Sequence, residues 1–302
     1  MTVERVLVVG LSNIGDAVLT TPVLERLHQL YPQARMDVVG DRRSSALFTH
    51  CPYLGRVIHR DKNRGWRGRL ALIRELRRVR YDLIVDLRTD GMAYLLRARR
   101  RLTKWHRGPH GPHAVEDHMS VIAAINPGGD IPPAAVWPGE GERAFAEKAL
   151  TELPGTRWLA LAPGANWAPK TWPADRFAAL AERVRGHFDA LVLLGGPDDR
   201  ARCETIRSHA SLPCVDLAGE TSLLEAAAVL GRCAAFVGND SGLGHMAAAA
   251  GIPTLTVFGP GRPWRYHPWG ANAVWLVSDS GRIEDLDVST VAQRLEAMIA
   301  TS

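Results

Sequence analysis

The sequence predicts an α/β protein of two doubly wound domains, each a parallel sheet with helices on both faces. Short apolar runs alternate with helix-like segments through the first half of the 302 residues, and the alternation starts again at residue 158. Glycine-containing loops follow several of these runs, at the edge where parallel sheets bind ligands. The chain is long enough for two ordinary cores. Two such domains facing each other would enclose a ligand-binding cleft.

The predicted elements divide at a segment rich in proline and glycine, residues 126–141. We predict an N-terminal domain at 1–135, a C-terminal domain at 140–283 and a final helix at 284–302. The runs that we interpret as strands are 6–10, 36–39, 57–59, 81–86, 158–162, 190–194, 214–217, 235–238 and 254–258, the last being the final core strand. The segments that we interpret as helices include 17–30, 44–50, 66–80, 113–126, 242–251 and 283–299.

Composition is that of a globular protein, with 46% hydrophobic and 23% charged residues. No apolar run approaches the roughly 18 residues that span a bilayer. The N-terminus lacks the basic and apolar regions of a secretory signal. The four cysteines are scattered without a C-x-x-C pair, which favours reduced thiols and a cytoplasmic location.

The charge is shared unevenly between the two halves. Residues 1–150 carry 24 Lys and Arg against 16 Asp and Glu, a net of +8, whereas residues 151–302 have a net of −3. Most of the excess lies between Arg56 and Arg107. Such a face attracts nucleic acid, anionic lipid headgroups or a phosphorylated substrate. The run at 74–80 is typical of a solvated helix face, but 97–107 is dense enough to predict an anionic partner.

Residues 235–251 predict a strand, a tight turn and an alanine-rich helix. Asp240 or Ser241 is placed to cap that helix, whose free N–H groups suit a phosphate. Ser241 and His245 are about one helical turn apart, so both could reach one anion. An ordinary capped helix is the alternative.

The loop after the first strand ends in Gly15 and Asp16. Its G-x-x-x-x-G spacing resembles a P-loop, but Asp16 stands where the phosphate-binding lysine belongs, so a nucleoside triphosphate site is excluded. The absence of G-x-G-x-x-G weighs against a dinucleotide oxidoreductase. Asp16 instead places a carboxylate at a strand end, unless it only caps the helix. Arg88 and Asp90 follow the fourth strand and share this edge.

The second half presents two further loops of interest. Lys170 precedes a helix and could meet a phosphate, the alternative being an ordinary surface lysine. Asp198 and Asp199 follow the strand at 190–194. They could accept hydrogen bonds from ribose hydroxyls, or they could cap a helix. Four histidines at 106, 110, 113 and 118 match no zinc motif, so we predict no metal site.

Together these segments resemble glycosyltransferase family 9, the ADP-heptose-dependent enzymes of lipopolysaccharide core assembly, over most of the chain. Ser12–Asp16 with Thr21–Pro22 is similar to the family's opening motif, and Lys170–Pro173 to its phosphate-binding lysine segment. Asn239–His245 resembles its nucleotide-sugar diphosphate loop, with Ser241 where the family commonly has threonine. Residues 86–91, 113–116 and 258–260 are also similar.

The resemblance implies the GT-B fold and an inverting transfer of heptose from ADP-heptose to a lipopolysaccharide core acceptor, without a cofactor. Asp16 would be the catalytic base, and Lys170 would neutralise the departing diphosphate. The predicted donor-binding residues are Gly164, Asn166, Lys170, Gly195, Asp198, Leu223, Asp240, Ser241, Gly242 and His245. The predicted acceptor-binding residues are Asn13, Gly15, Arg88, Asp90, Arg99, Arg101 and His113.

The expected partners are a nucleotide sugar and an anionic glycolipid, with peripheral contact at the inner face of the cytoplasmic membrane and no nucleic acid. A related transferase using another nucleotide sugar or a non-lipid acceptor is the alternative enzyme. A basic nucleic-acid-binding protein is the alternative from another class, although no helix-turn-helix or aromatic platform is present. An inactive sugar-nucleotide binder is disfavoured because both Asp16 and Lys170 are present.

Overall fold

The computed structural model describes residues 2–60, 65–89 and 91–300, apart from the side chain of His106. The chain forms two compact units, Met1–Trp137 and Pro138–Ser302. The change from one unit to the next falls within the segment rich in proline and glycine.

The first unit is built on a parallel sheet. Its strands in the described residues are β1 (Arg5–Val9), β2 (Arg35–Gly40), β3 (Leu54–His59), β4 (Tyr81–Asp86) and β5 (Ala98–Thr103). Its α-helices there are α1 (Ile14–Val18), α2 (Thr21–Leu30), α3 (Arg42–Ser45), α4 (Gly65–Leu76) and α5 (Ala114–Ser120). The strand order is β3-β2-β1-β4-β5, and α4 packs its buried Leu72 and Leu76 against Leu7 of β1 and Ile84 of β4.

The second unit repeats the parallel α/β architecture. Its strands in the described residues are β6 (Trp158–Ala162), β7 (Ala190–Leu193), β8 (Cys214–Asp216), β9 (Ala235–Asn239), β10 (Thr254–Phe258) and β11 (Ala273–Val277), in the sheet order β11-β10-β9-β6-β7-β8. Its α-helices there are α6 (Glu140–Leu150), α7 (Ala174–Val184), α8 (Arg200–His209), α9 (Leu223–Leu230), α10 (Gly242–Ala249), α11 (Pro263–Tyr266) and α12 (Val288–Ile299). The terminal α12 buries Val291 and Leu295 in the same core as Phe177 of α7.

The helix predicted at 17–30 is two helices, because Pro22 cannot continue the first. Pro22 has no N–H to donate to the carbonyl of Val18, four residues earlier. The hydroxyl of Thr21 donates to that carbonyl instead, at 2.7 Å. Pro22 then lies in the first turn of α2, where its missing N–H costs nothing.

Two strands were absent from the sequence prediction. β5 reads ARRRLT, and its three arginines hide the apolar alternation that marks a strand. It is the outer strand of its sheet, where charged side chains protect an exposed edge. β11 pairs in parallel with β10, so the expectation that 254–258 is the last core strand was wrong. Only the four-residue α11 intervenes, which obscured the strand–helix rhythm.

Burial limits what the cysteines can do. All four are free thiols, and three of them are buried. Burial raises the pKa of Cys51 to about 11 and that of Cys203, Cys214 and Cys233 to about 12. They therefore stay protonated near neutral pH, and none is a candidate nucleophile. Among the described helices, none is long and apolar enough to cross a bilayer.

Candidate active site

The predicted site residues follow strands that flank the topological switch point of each sheet. In the first unit the strand order reverses between β1 and β4, and in the second between β6 and β9. Open α/β sheets bind ligands at such points, beyond the carboxyl ends of the strands. Asp16 and Arg88 lie beyond β1 and β4, and Lys170 and Asp240 lie beyond β6 and β9.

Asp16 lies in the first turn of α1, close to the end of β1. The N-cap residue is Asn13, not Asp16, and the Asn13 side-chain amide donates to Asp16 Oδ2 at 2.9 Å. A carboxylate is also stabilised in a first turn by the helix dipole. Asp16 is half-buried and Asn13 exposed, so the Asn13 amide fixes the direction of a carboxylate that remains accessible.

Arg88 is positioned by a strained turn at the end of β4. Asp86 is fully buried, and its Oδ1 accepts the backbone N–H groups of Arg88 at 3.0 Å and Thr89 at 2.8 Å. These bonds hold Thr89 at φ +56°, a left-handed conformation that β-branched residues rarely adopt. Arg88 Nη1 then donates to the Ser12 hydroxyl at 2.7 Å, which joins the loops after β4 and β1. The predicted acceptor residue Asp90 lies outside the described residues.

The other predicted acceptor arginines lie along β5 and have structural partners. Arg99 pairs with Asp82 at 3.1 Å. Arg101 donates to the carbonyls of Ala93 at 2.9 Å and Leu96 at 2.6 Å, so it fixes the segment that leads into β5. Arg99 and Arg101 precede the carboxyl end of the strand by four and two residues, roughly 13 and 7 Å. The structure does not bring them to the edge that carries Asp16, and their acceptor role stays a prediction.

His113 is the N-cap of α5 rather than an open ligand. Its Nδ1 accepts the N–H of Val115 at 3.1 Å, and Glu116 accepts the His113 N–H at 2.8 Å. His118 Nδ1 lies 3.2 Å from the carbonyl of Leu19. In the part of the chain that the structure describes, no group of three or more His, Cys, Asp or Glu residues is arranged to hold a metal ion.

In the second unit, Lys170 and Asp240 form a close ion pair. Lys170 Nζ lies 2.5 Å from Asp240 Oδ2, with 30% and 13% of the two side chains exposed. Lys170 is therefore partly buried and paired, and its phosphate-binding role stays a prediction. The pair joins the loop after β6 to the turn after β9. It keeps the Lys170 ammonium partly exposed to solvent at the switch point.

Asn239 fixes both ends of the loop that carries Lys170. Its amide Nδ2 donates to the carbonyl of Pro163 at 2.8 Å, and its Oδ1 accepts the N–H of Trp172 at 3.0 Å. Asn239 and Trp172 are both fully buried. The same loop is also close to the segment after β10. A Cβ at Gly259 would lie 2.5 Å from the carbonyl oxygen of Pro169, so only glycine allows the two segments to approach this closely.

The turn after β9 presents unused hydrogen-bonding groups. Ser241 is the N-cap of α10, but its side chain makes no capping bond. The buried hydroxyls of Ser241 and Thr171 have no hydrogen-bond partner among the described residues. Gly242 begins the helix, so its N–H is one of those that point out of the helix end. His245 is buried one turn further along. Hydrogen-bond donors gathered at a helix N-terminus are of the kind that suits an anion.

The loop after β7 packs against the loop after β6 through two glycines. A Cβ at Gly164 would lie 2.1 Å from Asp199 Oδ2, and one at Gly195 2.7 Å from Asp199 Cβ. Asp199 accepts the N–H of Gly196 at 2.9 Å, so it caps the turn, whereas Asp198 is exposed. Among the remaining predicted donor residues, Asn166 is exposed and Leu223 begins α9 beside the Ser222–Glu225 capping box.

Sequence reasoning missed three positioning residues: Ser12, Asn239 and Gly259. All three stand in segments that carry the family resemblance, but their roles depend on contacts between distant residues. Asn239 binds partners 76 and 67 residues away. A buried asparagine directly after an apolar strand is the one local signal that could have identified it, because a buried amide needs partners.

The chain is similar to known proteins in both sequence and fold. Residues 91–295 match the model of glycosyltransferase family 9 (heptosyltransferase). The chain is 30% identical over 315 residues to lipopolysaccharide heptosyltransferase 1 of Pseudomonas aeruginosa, covering 91% of this chain and 84% of that protein.

Two solved structures show the same fold. The ADP-heptose lipopolysaccharide heptosyltransferase II of Escherichia coli superposes with a TM-score of 0.82 at 24% identity, covering 99% of both chains. The Escherichia coli heptosyltransferase WaaC with ADP gives 0.79 at 22% identity, covering 98% of this chain and 100% of that one. The fold is of the GT-B type. The chain belongs to glycosyltransferase family 9, the heptosyltransferase family.

Proposed function

We propose that this chain transfers a heptose from ADP-heptose to an anionic acceptor of the lipopolysaccharide core, with inversion at the anomeric carbon. The observation that carries the proposal is the anion site of Lys170, Asp240 and Ser241 at the switch point of the second unit. The donor and the acceptor class are those named for the similar heptosyltransferases.

In the proposed reaction Asp16 is the general base. The acceptor oxygen attacks the anomeric carbon while its proton passes to the Asp16 carboxylate. The bond between the anomeric carbon and the diphosphate oxygen breaks, and ADP leaves with the electron pair. A positioned base contributes about 10²- to 10⁴-fold. The hydrogen bond from Asn13 at 2.9 Å supports this role, because it orients the carboxylate.

Lys170 and the α10 terminus are proposed to stabilise the charge that grows on the diphosphate. The Lys170 ammonium, the unpartnered hydroxyl of Ser241 and the first N–H groups of α10 are donors already fixed in place. Preorganised donors of this kind need little rearrangement during the reaction. The donor sugar nucleotide is a substrate in this scheme, and we propose no resident cofactor.

ADP is expected to raise the melting temperature of the protein more than UDP, GDP or NAD at equal concentration. A ligand that binds only the folded state stabilises it in proportion to RT ln(1 + [L]/Kd). Differential scanning fluorimetry measures the shift, and Ser241→Ala provides a matched variant that should reduce it. An equal response to all four nucleotides, or no response to ADP, would contradict the proposed donor.

An exposed aromatic cluster supports peripheral contact with the cytoplasmic face of an anionic membrane. The rings of Tyr94 and Trp105 stack at 5.2 Å, and both side chains are largely exposed together with Leu95. Arg97 and Arg100 are exposed in the same part of the chain. Aromatic rings beside basic side chains suit the interface of an anionic bilayer. We therefore propose a cytoplasmic protein whose first unit meets its glycolipid acceptor at the membrane.

Arg88→Ser is expected to raise the acceptor KM and to weaken its dependence on salt, because Arg88 lies at the edge that carries Asp16. The donor KM should be unchanged. The comparison variant is Arg99→Ser with Arg100→Ser, which removes charge from β5 and tests the β5 arginines as the competing acceptor site. Steady-state kinetics at two ionic strengths measures the effect. A larger change in the β5 variant would instead assign the acceptor to the β5 arginines, and no change in either would contradict an anionic acceptor on this unit.

A further inference from the structure

The amino edge of the first sheet, opposite the edge that carries Asp16, contains an arginine-lined cavity. Its volume is about 340 Å³, and its lining includes Arg5, Arg35 and Arg56 together with Asp37 and Tyr81. A water occupies about 30 Å³ of liquid, so the cavity has room for about ten waters. A second cavity of about 430 Å³ shares Arg56 and adds Arg74 and Arg78 of the α4 end.

The fold places these like charges side by side. Arg5 and Arg35 are the first residues of β1 and β2, and they are direct partners in the parallel register. Side chains at one register position of neighbouring strands point to the same face. Like charges so placed repel each other, which is unfavourable unless a counterion lies between them.

The nearby acids do not neutralise this cluster. Asp37 Oδ2 accepts from Arg56 at 2.8 Å and from the Tyr81 hydroxyl at 2.7 Å, so the hydrogen bonds of this oxygen go to groups other than Arg5 and Arg35. Burial, and then the bond to Asp37, raises the pKa of Tyr81, which keeps its hydroxyl protonated as a donor.

Among the described residues, the other acids nearby form no ion pair with Arg5 or Arg35, although backbone hydrogen bonds and the charges of Arg99 and Arg5 lower the pKa of Asp82. Asp82 accepts the backbone N–H groups of Glu4 and Arg5 and pairs with Arg99. Glu75 is the remaining acid of the second cavity. Across the described residues, no ion pair is formed by Arg5, Arg35, Arg74 or Arg78. Arg74 in the last turn of α4 is stabilised by the negative C-terminal end of the helix dipole. No such helix end explains why Arg5 and Arg35 stand at the starts of two neighbouring strands.

We propose that this arginine cavity binds a phosphate-bearing anion. Guanidinium groups offer paired N–H donors that match phosphate oxygens, and three of them converge here on one cavity. The site is separate from the proposed catalytic groups, since the strands of five or six residues put the two edges roughly 16 Å apart. The donor loop lies in the other unit. The phosphate could belong to a soluble phosphate compound or to a phospholipid headgroup.

The test is calorimetric titration with pyrophosphate at low ionic strength, in the Lys170→Ala background so that the proposed donor site does not dominate. Replacing both Arg5 and Arg35 by serine is expected to weaken pyrophosphate binding about tenfold or more, because each lost charged hydrogen bond is worth about a factor of ten. The matched control replaces Arg183 and Arg294, two exposed arginines of the second unit, and should leave binding unchanged.

Folding of the variant is followed by its melting temperature without ligand, which should stay equal or rise as repulsion is removed. A second variant, Arg74→Ser with Arg78→Ser, changes only exposed residues, one in α4 and one just after it, and should also weaken binding. Sedimentation with phosphatidylglycerol–phosphatidylcholine vesicles, against phosphatidylcholine alone, separates the sources. Parallel loss of vesicle and pyrophosphate binding assigns a headgroup, and loss of pyrophosphate binding alone assigns a soluble phosphate. Unchanged pyrophosphate binding in both variants, or none in the Lys170→Ala parent, overturns the proposal.

Discussion

Replacing Asp16 by asparagine is expected to lower kcat about 100-fold or more while leaving the affinity for ADP nearly unchanged. Asparagine has the same size and can still accept the bond from Asn13, but it cannot take a proton. A 100-fold fall corresponds to about 2.7 kcal/mol of transition-state stabilisation. Asp16 belongs to the first unit and the donor loop to the second, so donor binding should not depend on it. Steady-state kinetics combined with ADP titration separates the two effects.

Glu140→Gln is the matched control, since it removes an exposed carboxylate from the first turn of α6. It should alter stability slightly and kcat not at all. If Asp16→Asn unfolds the protein at assay temperature, the carboxylate serves the helix terminus and the base lies elsewhere. Near-normal turnover in a folded variant would remove Asp16 from the chemistry.

Replacing Lys170 by alanine is expected to weaken ADP binding at least about tenfold and to slow turnover further. The ammonium attracts the diphosphate in the bound donor and more strongly as charge grows on it. The loss has a second part, because Asp240, only 13% exposed, loses its partner and leaves an uncompensated negative charge beside the diphosphate. Calorimetry with ADP and single-turnover kinetics measure the two steps.

A double-mutant cycle isolates that second part. Adding Asp240→Asn to Lys170→Ala should recover some of the ADP affinity by removing the repulsion. Lys148→Ala removes an exposed lysine from the last turn of α6 and should leave both measurements unchanged. Additive losses in the cycle would show that Asp240 does not act through Lys170. Unchanged ADP affinity in Lys170→Ala would place the diphosphate elsewhere.

The buried parallel strands were predictable because their signal is local. Runs such as 6–9 and 158–162 are apolar throughout and are followed by or end at small residues. Such runs can be recognised as buried strands from the local sequence alone. β5 could not be found this way, since an outer strand exposes charged side chains and its pairing partner is what makes it a strand. Pro22 marks the break between α1 and α2 in the sequence, but the helical spacing of apolar residues led to the prediction of one continuous helix at 17–30.

The site was predictable in its chemistry and less so in its geometry. Asp16 in the first unit, and Lys170 and Ser241 in the second, could be chosen because each follows a parallel strand and so lies at the carboxyl edge of its own sheet. The contacts that aim them depend on tertiary packing, as with Arg88 on Ser12 and Lys170 on Asp240. The basic run at 97–107 predicted an anionic partner, which stays a prediction, and the arginines of β5 are largely engaged with Asp82 and backbone carbonyls.

The buried amide of Asn239 gives the donor loop a particular mechanical character. By holding Pro163 at one end and Trp172 at the other, it closes residues 163–172 into a ring with two fixed points. The ends cannot separate without breaking buried hydrogen bonds, whereas residues 166–169 between them are exposed. We therefore expect any adjustment to a bound nucleotide to occur in this exposed segment rather than at the ends of the loop. The conformational entropy that the loop loses on nucleotide binding should then be confined to a few residues, because the ends of the loop are already ordered.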